Sequence, residues 1–262
     1  MIDYPNFKRL ASQLVGIDLS DYKSQQMDRR IHTLMQSWEI HSYDQYLELL
    51  KTDPKRYKVF VKKLTINVSE FFRNPERFKE LWQHVLPELL KNNQDIRIWS
   101  AGCSNGAEPY SVALISLEMG VADRVKIFGT DIDQFILAKA REGIYEYNDL
   151  KNLPPDLLTK YFFNRGNQYY LNDTVKSMVE FLSHNLLKDP FLGSFDLIIC
   201  RNVVIYFTEE AKKVLYQKFY ESLKPGGYLL VGGTEPLLDY KKMGFVSNFP
   251  SFYKKPLIKR IN

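Results

Sequence analysis

The sequence has little of what a disulfide framework or a metal site requires. Its only two cysteines, Cys103 and Cys200, lie far apart and outside any CxxC spacing, which argues against a disulfide scaffold and against a structural zinc site. None of the four histidines forms an i, i+4 pair with a carboxylate between, so the pattern of a zinc hydrolase is missing as well. We therefore expect a protein without a metal cofactor.

Long apolar runs are also missing. No stretch approaches the about 20 apolar residues that a bilayer-spanning helix needs. The first 20 residues carry charges, among them Asp3, Lys8 and Arg9, and lack the apolar core of a signal peptide. These absences predict a cytoplasmic protein with no direct membrane insertion.

A strong charge of either sign is missing too. The net charge is +5, and residues 1–64 hold eleven Lys or Arg against eight Asp or Glu. This mild positive excess suits an acidic protein partner or a nucleic acid, but a solvated surface that binds nothing is the favoured explanation. Charge alone therefore does not identify a partner.

Helical patterns dominate the first third of the chain. Asp53-Pro54 and Asn74-Pro75 each place a capping side chain before a proline, which predicts two helix starts. We expect an all-helical N-terminal domain and linker over residues 1–74. The i, i+4, i+7, i+8 spacing of an amphipathic helix is followed by Met27, Ile31, Leu34, Met35 and Trp38.

From about residue 95, short apolar runs alternate with helical patterns, which predicts a mainly parallel sheet covered on both faces. The second predicted domain covers residues 75–262, and the aromatic-rich stretch 161–182 predicts a small β excursion within it. The predicted helices cover residues 107–119, 133–142 and 208–223. The predicted strands are Ile96–Ala101, Val125–Thr130, Val179–Leu182, Phe195–Cys200 and Tyr228–Val231.

Two loops of this α/β region predict a ligand site. The first follows strand Ile96–Ala101, and in a doubly wound sheet such a loop lies at the carboxyl edge, where ligands bind. Gly102 lets the backbone approach a ligand closely, and Glu108 can pair with a positive group. The second loop begins at Asp131, whose carboxylate can accept both hydroxyls of an adenosine ribose, while Asp133 caps the next helix. A plain tight turn remains the alternative for the first loop.

Two further clusters carry polar residues where burial is expected. Arg201 and Asn202 emerge from a buried strand, which is costly unless they have partners or a function. Tyr206 follows them, and core filling is the common role of a tyrosine among Val and Ile. The upstream segment Asn67–Arg73 joins the helical region to the α/β domain.

At these clusters the chain resembles the chemotaxis receptor methyltransferases of the CheR type. The motifs follow one another in order over nearly the whole catalytic domain, and they are specific jointly rather than singly. Two positions depart from the common pattern, since Ser69 replaces a frequent threonine and Ala107 a frequent glutamate. The matching segments are NVSEFFR (67–73), SAGCSNGAEPYS (100–111), GTDID (129–133), HNLL (184–187), ICRNVVIYF (199–207) and LKPGGYLLVGGTE (223–235).

The resemblance implies a fold and a cofactor. The fold is a Rossmann-like class I S-adenosylmethionine-dependent methyltransferase domain with a small inserted antiparallel β-subdomain, preceded by the all-helical N-terminal domain. The cofactor is S-adenosyl-L-methionine, and the product is S-adenosyl-L-homocysteine. Together with Gly102 of the first loop, the expected cofactor-binding residues are Asn67, Ser69, Arg73, Glu108, Asp131, Asn185, Leu186, Arg201 and Asn202.

The resemblance also implies a reaction: methylation of glutamate side chains on the cytoplasmic methylation helices of bacterial chemoreceptors, for chemotaxis adaptation. A carboxylate is already ionised at neutral pH, so direct displacement needs no general base. We expect Arg73 to orient a carboxylate and Tyr206 to line the methyl channel as the two catalytic candidates. Relatives that bind a receptor's C-terminal pentapeptide as a tether have an extra glycine-containing loop in the β excursion. Residues 165–170 of this chain do not contain that loop. We therefore expect pentapeptide-independent action.

Receptor recognition is expected in the helical domain. On a helix predicted to begin near Ser20, Lys23 and Arg30 are seven residues apart and share a face with Arg29 adjacent. That face lies away from the apolar stripe, so it is expected to be exposed to solvent and to attract glutamate-rich receptor helices. The competing interpretation is an idle solvated face.

Two other functions remain open at this stage. A methyltransferase acting on nucleic acid, or on another protein, fits the sequence pI of about 8.9, although the positive charge is diffuse. A module that only senses S-adenosylmethionine would keep Asp131 but would not need Arg73 and Tyr206 together. Nothing in the sequence indicates an oligomer, so we expect a monomer that binds no nucleic acid.

Overall fold

The chain forms two compact units. The computed structural model describes residues 1–65, 67–191 and 193–257. The first unit combines Met1–Asn67 with Tyr206–Lys213, and the second combines Val68–Ile205 with Val214–Asn262. The segment after residue 205 thus groups with the helical unit, whereas the domain boundary expected after residue 74 stays a prediction.

The first unit is helical, as predicted. Its helices bury one apolar stripe each, and the stripe predicted for the second helix is confirmed by Met27, Ile31 and Leu34, which are all buried. That helix begins later than expected, because a short 3₁₀ turn at Leu19–Asp21 precedes it. The helices are α1 (Tyr4–Val15), α2 (Ser24–Ser37), α3 (Tyr43–Thr52) and α4 (Pro54–Thr65).

Both predicted helix starts are confirmed, at Pro54 and at Pro75, but only one of the two predicted side-chain caps is formed. The Asp53 carboxylate accepts the backbone N–H groups of Lys55 and Arg56, which satisfies donors at the start of α4. Asn74 instead has a left-handed backbone (φ 59°) and caps nothing with its side chain. Its side-chain oxygen accepts from Arg201, a long-range partner that the local pattern does not reveal.

The second unit is α/β. The first two of its helices, α5 (Pro75–Glu80) and α6 (Leu86–Asn92), are joined by one π-helical turn at Leu81–Val85. No helix in the described residues is both long and apolar enough to cross a bilayer. The remaining elements are β1 (Ile96–Ala101), α7 (Ala107–Glu118), β2 (Val125–Asp131), α8 (Gln134–Glu142), β3 (Ile144–Tyr145), α9 (Pro155–Tyr161), β4 (Phe162–Arg165), β5 (Gln168–Leu171), α10 (Asp173–Lys176), β6 (Val179–Ser183), β7 (Phe195–Cys200), α11 (Glu209–Ser222), β8 (Leu223–Val231), β9 (Val246–Phe249) and β10 (Phe252–Lys254).

The main sheet has seven strands in the order β6-β2-β1-β7-β8-β10-β9. The first five are parallel, and β10 pairs antiparallel with both of its neighbours. From β1 the chain proceeds to β2 on one side, and it later returns to β7 on the other side. Ligands of doubly wound sheets bind outside the carboxyl ends of the strands at such a switch point. The topology therefore brings the ends of β1, β2 and β7 to one edge.

The core of this unit fills both faces of the sheet. Trp99 on β1 is fully buried, and its indole N–H donates to Thr130 Oγ1 at 2.9 Å, so no polar atom of the ring is left unsatisfied. Helix α7 is buried along nearly its whole length, which explains why its sequence shows little amphipathic pattern. Cys103 and Cys200 are both buried and free.

The small β excursion exists, but its extent differs from the prediction. A three-stranded antiparallel sheet has the order β3-β5-β4, so it begins at residue 144 rather than 161. Its last predicted residues, 179–182, lie instead in the edge strand β6 of the main sheet, which pairs parallel with β2 and confirms the strand predicted at Val179–Leu182. Strand-forming residues look alike in either sheet, because pairing partners are set by long-range packing.

Candidate active site

Asp131 lies at the carboxyl end of β2 and is only 7% exposed. One carboxylate oxygen accepts the backbone N–H of Ser104 at 2.9 Å, and the other accepts that of Asp133 at 3.0 Å. Burial raises the pKa of Asp131 to about 6, although these N–H groups oppose the shift. Asp133 caps α8 through the N–H groups of Phe135 and Ile136, which confirms its predicted role.

The loop after β1 is held against two other segments. The N–H groups of Gly102 and Cys103 both donate to the carbonyl of Thr130, which joins this loop to the end of β2. Gly102 has a left-handed backbone (φ 82°), and a Cβ there would lie 2.5 Å from Val203 Cγ2. The position therefore requires glycine on account of both conformation and close packing.

Glu108 and Arg201 form a buried ion pair. Arg201 Nη1 lies 3.5 Å from Glu108 Oε2, and Ser100 Oγ donates to Glu108 Oε1 at 2.8 Å. Burial raises the pKa of Glu108, and the Arg201 guanidinium opposes this shift. Burial likewise lowers the pKa of Arg201, with Glu108 opposing. Each charge thus depends on the other in a site from which water is largely excluded.

Arg201 also secures the upstream segment 68–74. Its Nη2 donates to the Arg73 carbonyl at 2.7 Å and to Asn74 Oδ1 at 2.6 Å. Asn105 of the first loop contacts the same segment, through Nδ2 to the Ser69 carbonyl at 3.5 Å. The predicted site residues Ser69, Arg73, Glu108 and Arg201 are therefore brought together by hydrogen bonds and charge.

Backbone strain concentrates in these segments. Non-glycine residues rarely adopt positive φ angles, and such residues cluster at functional sites. Six described residues do so, and four of the six belong to the segments just described or to the loop after β7. Those four are Phe72, Asn74, Ser104 and Asn202.

Asn185 and Leu186 follow β6, the neighbour of β2. The preceding residue, His184, donates its backbone N–H to the Asp131 carbonyl at 3.0 Å, which joins this turn to the same edge. Asn185 uses its side-chain oxygen to accept the N–H groups of Leu187 and Lys188. Leu186 is buried. Their predicted cofactor contacts stay predictions.

Glu235 organises the loop after β7, and sequence reasoning missed it. The side chain is buried, and Oε2 accepts the N–H groups of Asn202 at 2.6 Å and Gly232 at 3.0 Å. Oε1 accepts the N–H of Ile205 at 3.1 Å. Burial raises the pKa of Glu235, opposed by these backbone donors. The available signal was an acid four residues after the end of the buried strand β8, because such a residue is costly to bury without partners.

The remaining predicted residues lie in the helical unit. Asn67 donates to Thr65 Oγ1 at 3.1 Å. The guanidinium of Arg30 lies over the Tyr206 ring, 5.0 Å from its centroid. Tyr206 thus packs against a basic residue of α2.

The expected basic face is only partly formed. Lys23 is exposed, but it is the N-cap residue that precedes α2. Lys23 and Arg30 therefore do not form the shared helical face that was predicted. Arg29 is exposed, whereas Arg30 is half-buried and donates to the Leu64 carbonyl at 3.2 Å. The prediction of one solvent-exposed face was wrong, because the helix begins four residues later than the sequence pattern suggested and Arg30 has local partners.

Comparison with known proteins defines the class. The family model described as the CheR methyltransferase SAM-binding domain matches residues 67–250, and that of the CheR methyltransferase all-alpha domain matches residues 2–65. The protein is an S-adenosylmethionine-dependent methyltransferase.

Similar proteins cover almost the whole chain. A chemotaxis protein methyltransferase of Listeria monocytogenes is 38% identical over 97% of both chains. The proteins of that name from Borreliella burgdorferi and Escherichia coli are 36% and 34% identical, over 92% and 88% of this chain and 89% and 84% of their own. The chain belongs to the CheR methyltransferase family.

The residues at the sheet edge fit S-adenosylmethionine. Asp131 at the end of β2 can accept ribose hydroxyls, and Ser100 and Arg201 hold Glu108 in the first turn of α7 beside it. Ser104 Oγ and Arg201 Nε are buried without a hydrogen-bond partner among the described residues, which leaves polar atoms for a ligand. Within the same residues, no cluster of His, Cys, Asp or Glu is arranged to hold a metal ion.

The pKa of Asp131 predicts a pH dependence of cofactor binding. A carboxyl group with a pKa of about 6 is ionised at pH 7.5 and becomes protonated as the pH falls through 6. If ribose binding needs the ionised form, affinity should fall roughly fourfold from pH 7.5 to pH 5.5. Isothermal titration with S-adenosylhomocysteine measures this. Asp131→Asn should bind weakly at both pH values, and an unaltered protein with pH-independent affinity would contradict the assignment.

The contacts of Glu235 predict a second effect. Glu235→Gln replaces one acceptor oxygen by an NH₂ donor, which then faces a backbone N–H that it cannot accept. The free energy of unfolding should fall by about 1–3 kcal/mol. We expect a Tm lower by several degrees and S-adenosylmethionine binding about tenfold weaker. Glu180→Gln is the control, because that glutamate is exposed on β6 and loses the same charge. Equal behaviour of the two variants would show that Glu235 does not organise the site.

Proposed function

We propose that this protein transfers the methyl group of S-adenosylmethionine to glutamate side chains on the cytoplasmic helices of chemoreceptors. The products are glutamyl methyl esters and S-adenosylhomocysteine, and the role is adaptation in chemotaxis. Support comes from the family membership and from the relatives named chemotaxis protein methyltransferases. The choice of a carboxylate as acceptor rests on the same family membership, and a carboxylate needs no general base.

His184 is the histidine beside Asp131, and Nδ1 is its only nitrogen that could act as a general base. Its Nε2 lies 3.1 Å from the Pro190 carbonyl, and a carbonyl only accepts, so Nε2 carries the hydrogen. Nδ1 is buried. An amine or hydroxyl acceptor would need a base to remove a proton, whereas a carboxylate is already ionised at neutral pH. A carboxylate acceptor thus needs no base from the site.

Bound S-adenosylmethionine supplies a methyl group on a positively charged sulfur. When a carboxylate accepts that group, opposite charges disappear, so a site that excludes water favours the reaction. The buried edge around Glu108, Asp131 and Arg201 is such a site.

Arg73 is proposed to position a carboxylate. A guanidinium that held the attacking carboxylate tightly would stabilise the ground state more than the transition state and slow the step. Arg73 donates to the Val68 carbonyl at 3.2 Å, a bond that uses only one of its five N–H groups. The others can orient the acceptor, or the carboxylate of the cofactor, for in-line transfer.

Receptor recognition is proposed for the helical unit. Lys23 and Arg29 are exposed near the start of α2. Exposed cations accelerate encounter with acidic partners and disfavour wrong registers. Glutamate-rich receptor helices have the complementary charge.

Action without a pentapeptide tether is also proposed. Strands β4 and β5 are joined by Gly166 and Asn167 alone, with Arg165 paired to Gln168. Gly166 has φ 64°, as such tight turns require. This turn leaves no extra loop to hold a tethering peptide.

The reaction class predicts a base-labile product. Labelled methyl groups from S-adenosylmethionine should appear on receptor-containing membranes and be released as methanol by mild alkali, because esters hydrolyse there and methylated amines do not. Arg73→Ala should lower the rate at least a hundredfold. Lys79→Ala is the matched control, since Lys79 is an exposed cation six residues away. Alkali-stable label would reject glutamyl esterification, and an active Arg73→Ala enzyme would reject the positioning role.

Tether independence predicts equal methylation of tailed and truncated receptors. Removal of the last five receptor residues should change the initial rate less than twofold. A free C-terminal pentapeptide should show no binding in titration calorimetry up to millimolar concentration. Binding that disappears when residues 165–168 are altered would contradict the proposal.

A further inference from the structure

Arg30 is better placed to hold Tyr206 than to meet a partner. Its Nη1 donates to the carbonyl of Leu64, in the last turn of α4, where carbonyl groups lack helical partners and favour a cation. The same guanidinium lies 5.0 Å from the centroid of the Tyr206 ring. One side chain thus joins the end of α4 to the tyrosine.

The backbone around Tyr206 is held by the residues just before α2. The Tyr206 carbonyl accepts the N–H of Lys23, and Thr208 donates its N–H to the Asp21 carbonyl, both at 2.9 Å. Between them, Tyr22 and Phe207 form an antiparallel bridge with their rings edge-to-face at 5.1 Å. This short ladder holds the main chain from the Tyr206 carbonyl to Thr208, and Arg30 holds the ring of Tyr206 near the end of α4.

We propose that Arg30 is a positioning residue that fixes the ring of Tyr206 for methyl transfer. The inference rests on the catalytic role given to Tyr206 in the proposed function. A planar guanidinium suits this task, because it can stack on an aromatic face while its edge donates to a carbonyl. Arg29, the neighbouring cation, is exposed and offers the contrast of a residue that acts by charge alone.

A kinetic test separates positioning of the Tyr206 ring from electrostatic attraction of the receptor. Arg30→Gln should lower kcat about tenfold while the Tm stays within a few degrees of the unaltered protein. Arg29→Gln removes the same charge and should raise the KM for receptor membranes, with its effect fading at high salt. Lys63→Gln is an exposed control on α4 and should change neither constant more than twofold. Arg30→Lys keeps the charge but loses the planar guanidinium group, so its kcat should lie between those of Arg30→Gln and the unaltered protein.

A double-variant cycle tests whether Arg30 acts through the tyrosine. In a Tyr206→Ala background, Arg30→Gln should lower kcat by less than twofold further, because the ring that it holds is gone. If Arg30→Gln and Arg29→Gln instead affect KM alike and leave kcat intact, Arg30 serves attraction only and the proposal is overturned. A full tenfold loss without the Tyr206 ring overturns it as well.

Hydrogen exchange gives a readout that needs no acceptor. In the free protein, Arg30→Gln should speed amide exchange in peptides covering residues 21–25 and 204–209, whereas Arg29→Gln should not. Unchanged exchange and unchanged kcat would contradict the positioning role. If the unaltered protein labels no receptor, the proposed acceptor fails, and the exchange result still decides whether Arg30 holds this segment.

Discussion

The buried guanidinium of Arg201 joins parts of the second unit that are far apart in the sequence. It pairs with Glu108 at the start of α7 and donates to the Arg73 carbonyl and to Asn74. Removing one partner of such a buried pair would typically cost about 3–5 kcal/mol, because the other charge is left without compensation. The path of segment 68–74, and with it the place of Arg73, depends on this one side chain.

Buried acids support the same edge in a second way, by accepting backbone N–H groups. Asp131 holds the loop after β1, and Glu235 holds the loop after β7. A carboxylate that accepts several backbone donors fixes loop conformations that would otherwise leave those donors unsatisfied. Strained residues such as Ser104 and Asn202 lie in these loops, so the acids stabilise backbone shapes that the residues themselves disfavour. A ligand site at this edge is therefore preorganised.

Much of the fold could be predicted from local pattern. The five parallel strands and the helices between them follow from alternating apolar runs, because burial on both faces demands them. Capping residues whose partners lie two and three residues further along the chain were also predictable, as Asp53 and Asp133 show. Glu235 was not, since its partners at Asn202 and Ile205 are more than 29 residues away.

The sequence by itself determined the two-part organisation, the position of the loops at the carboxyl edge of the sheet, and the family. Each of these depends on periodicity or on motifs contained in short segments. Only the tertiary structure decided which charges are buried and what they contact. Arg30 looks like a surface cation in the pattern, yet it lies over Tyr206, 176 positions further along the chain. Asn74 looks like a helix cap, yet it accepts from Arg201. Such pairings depend on packing between distant segments, which no local spacing encodes.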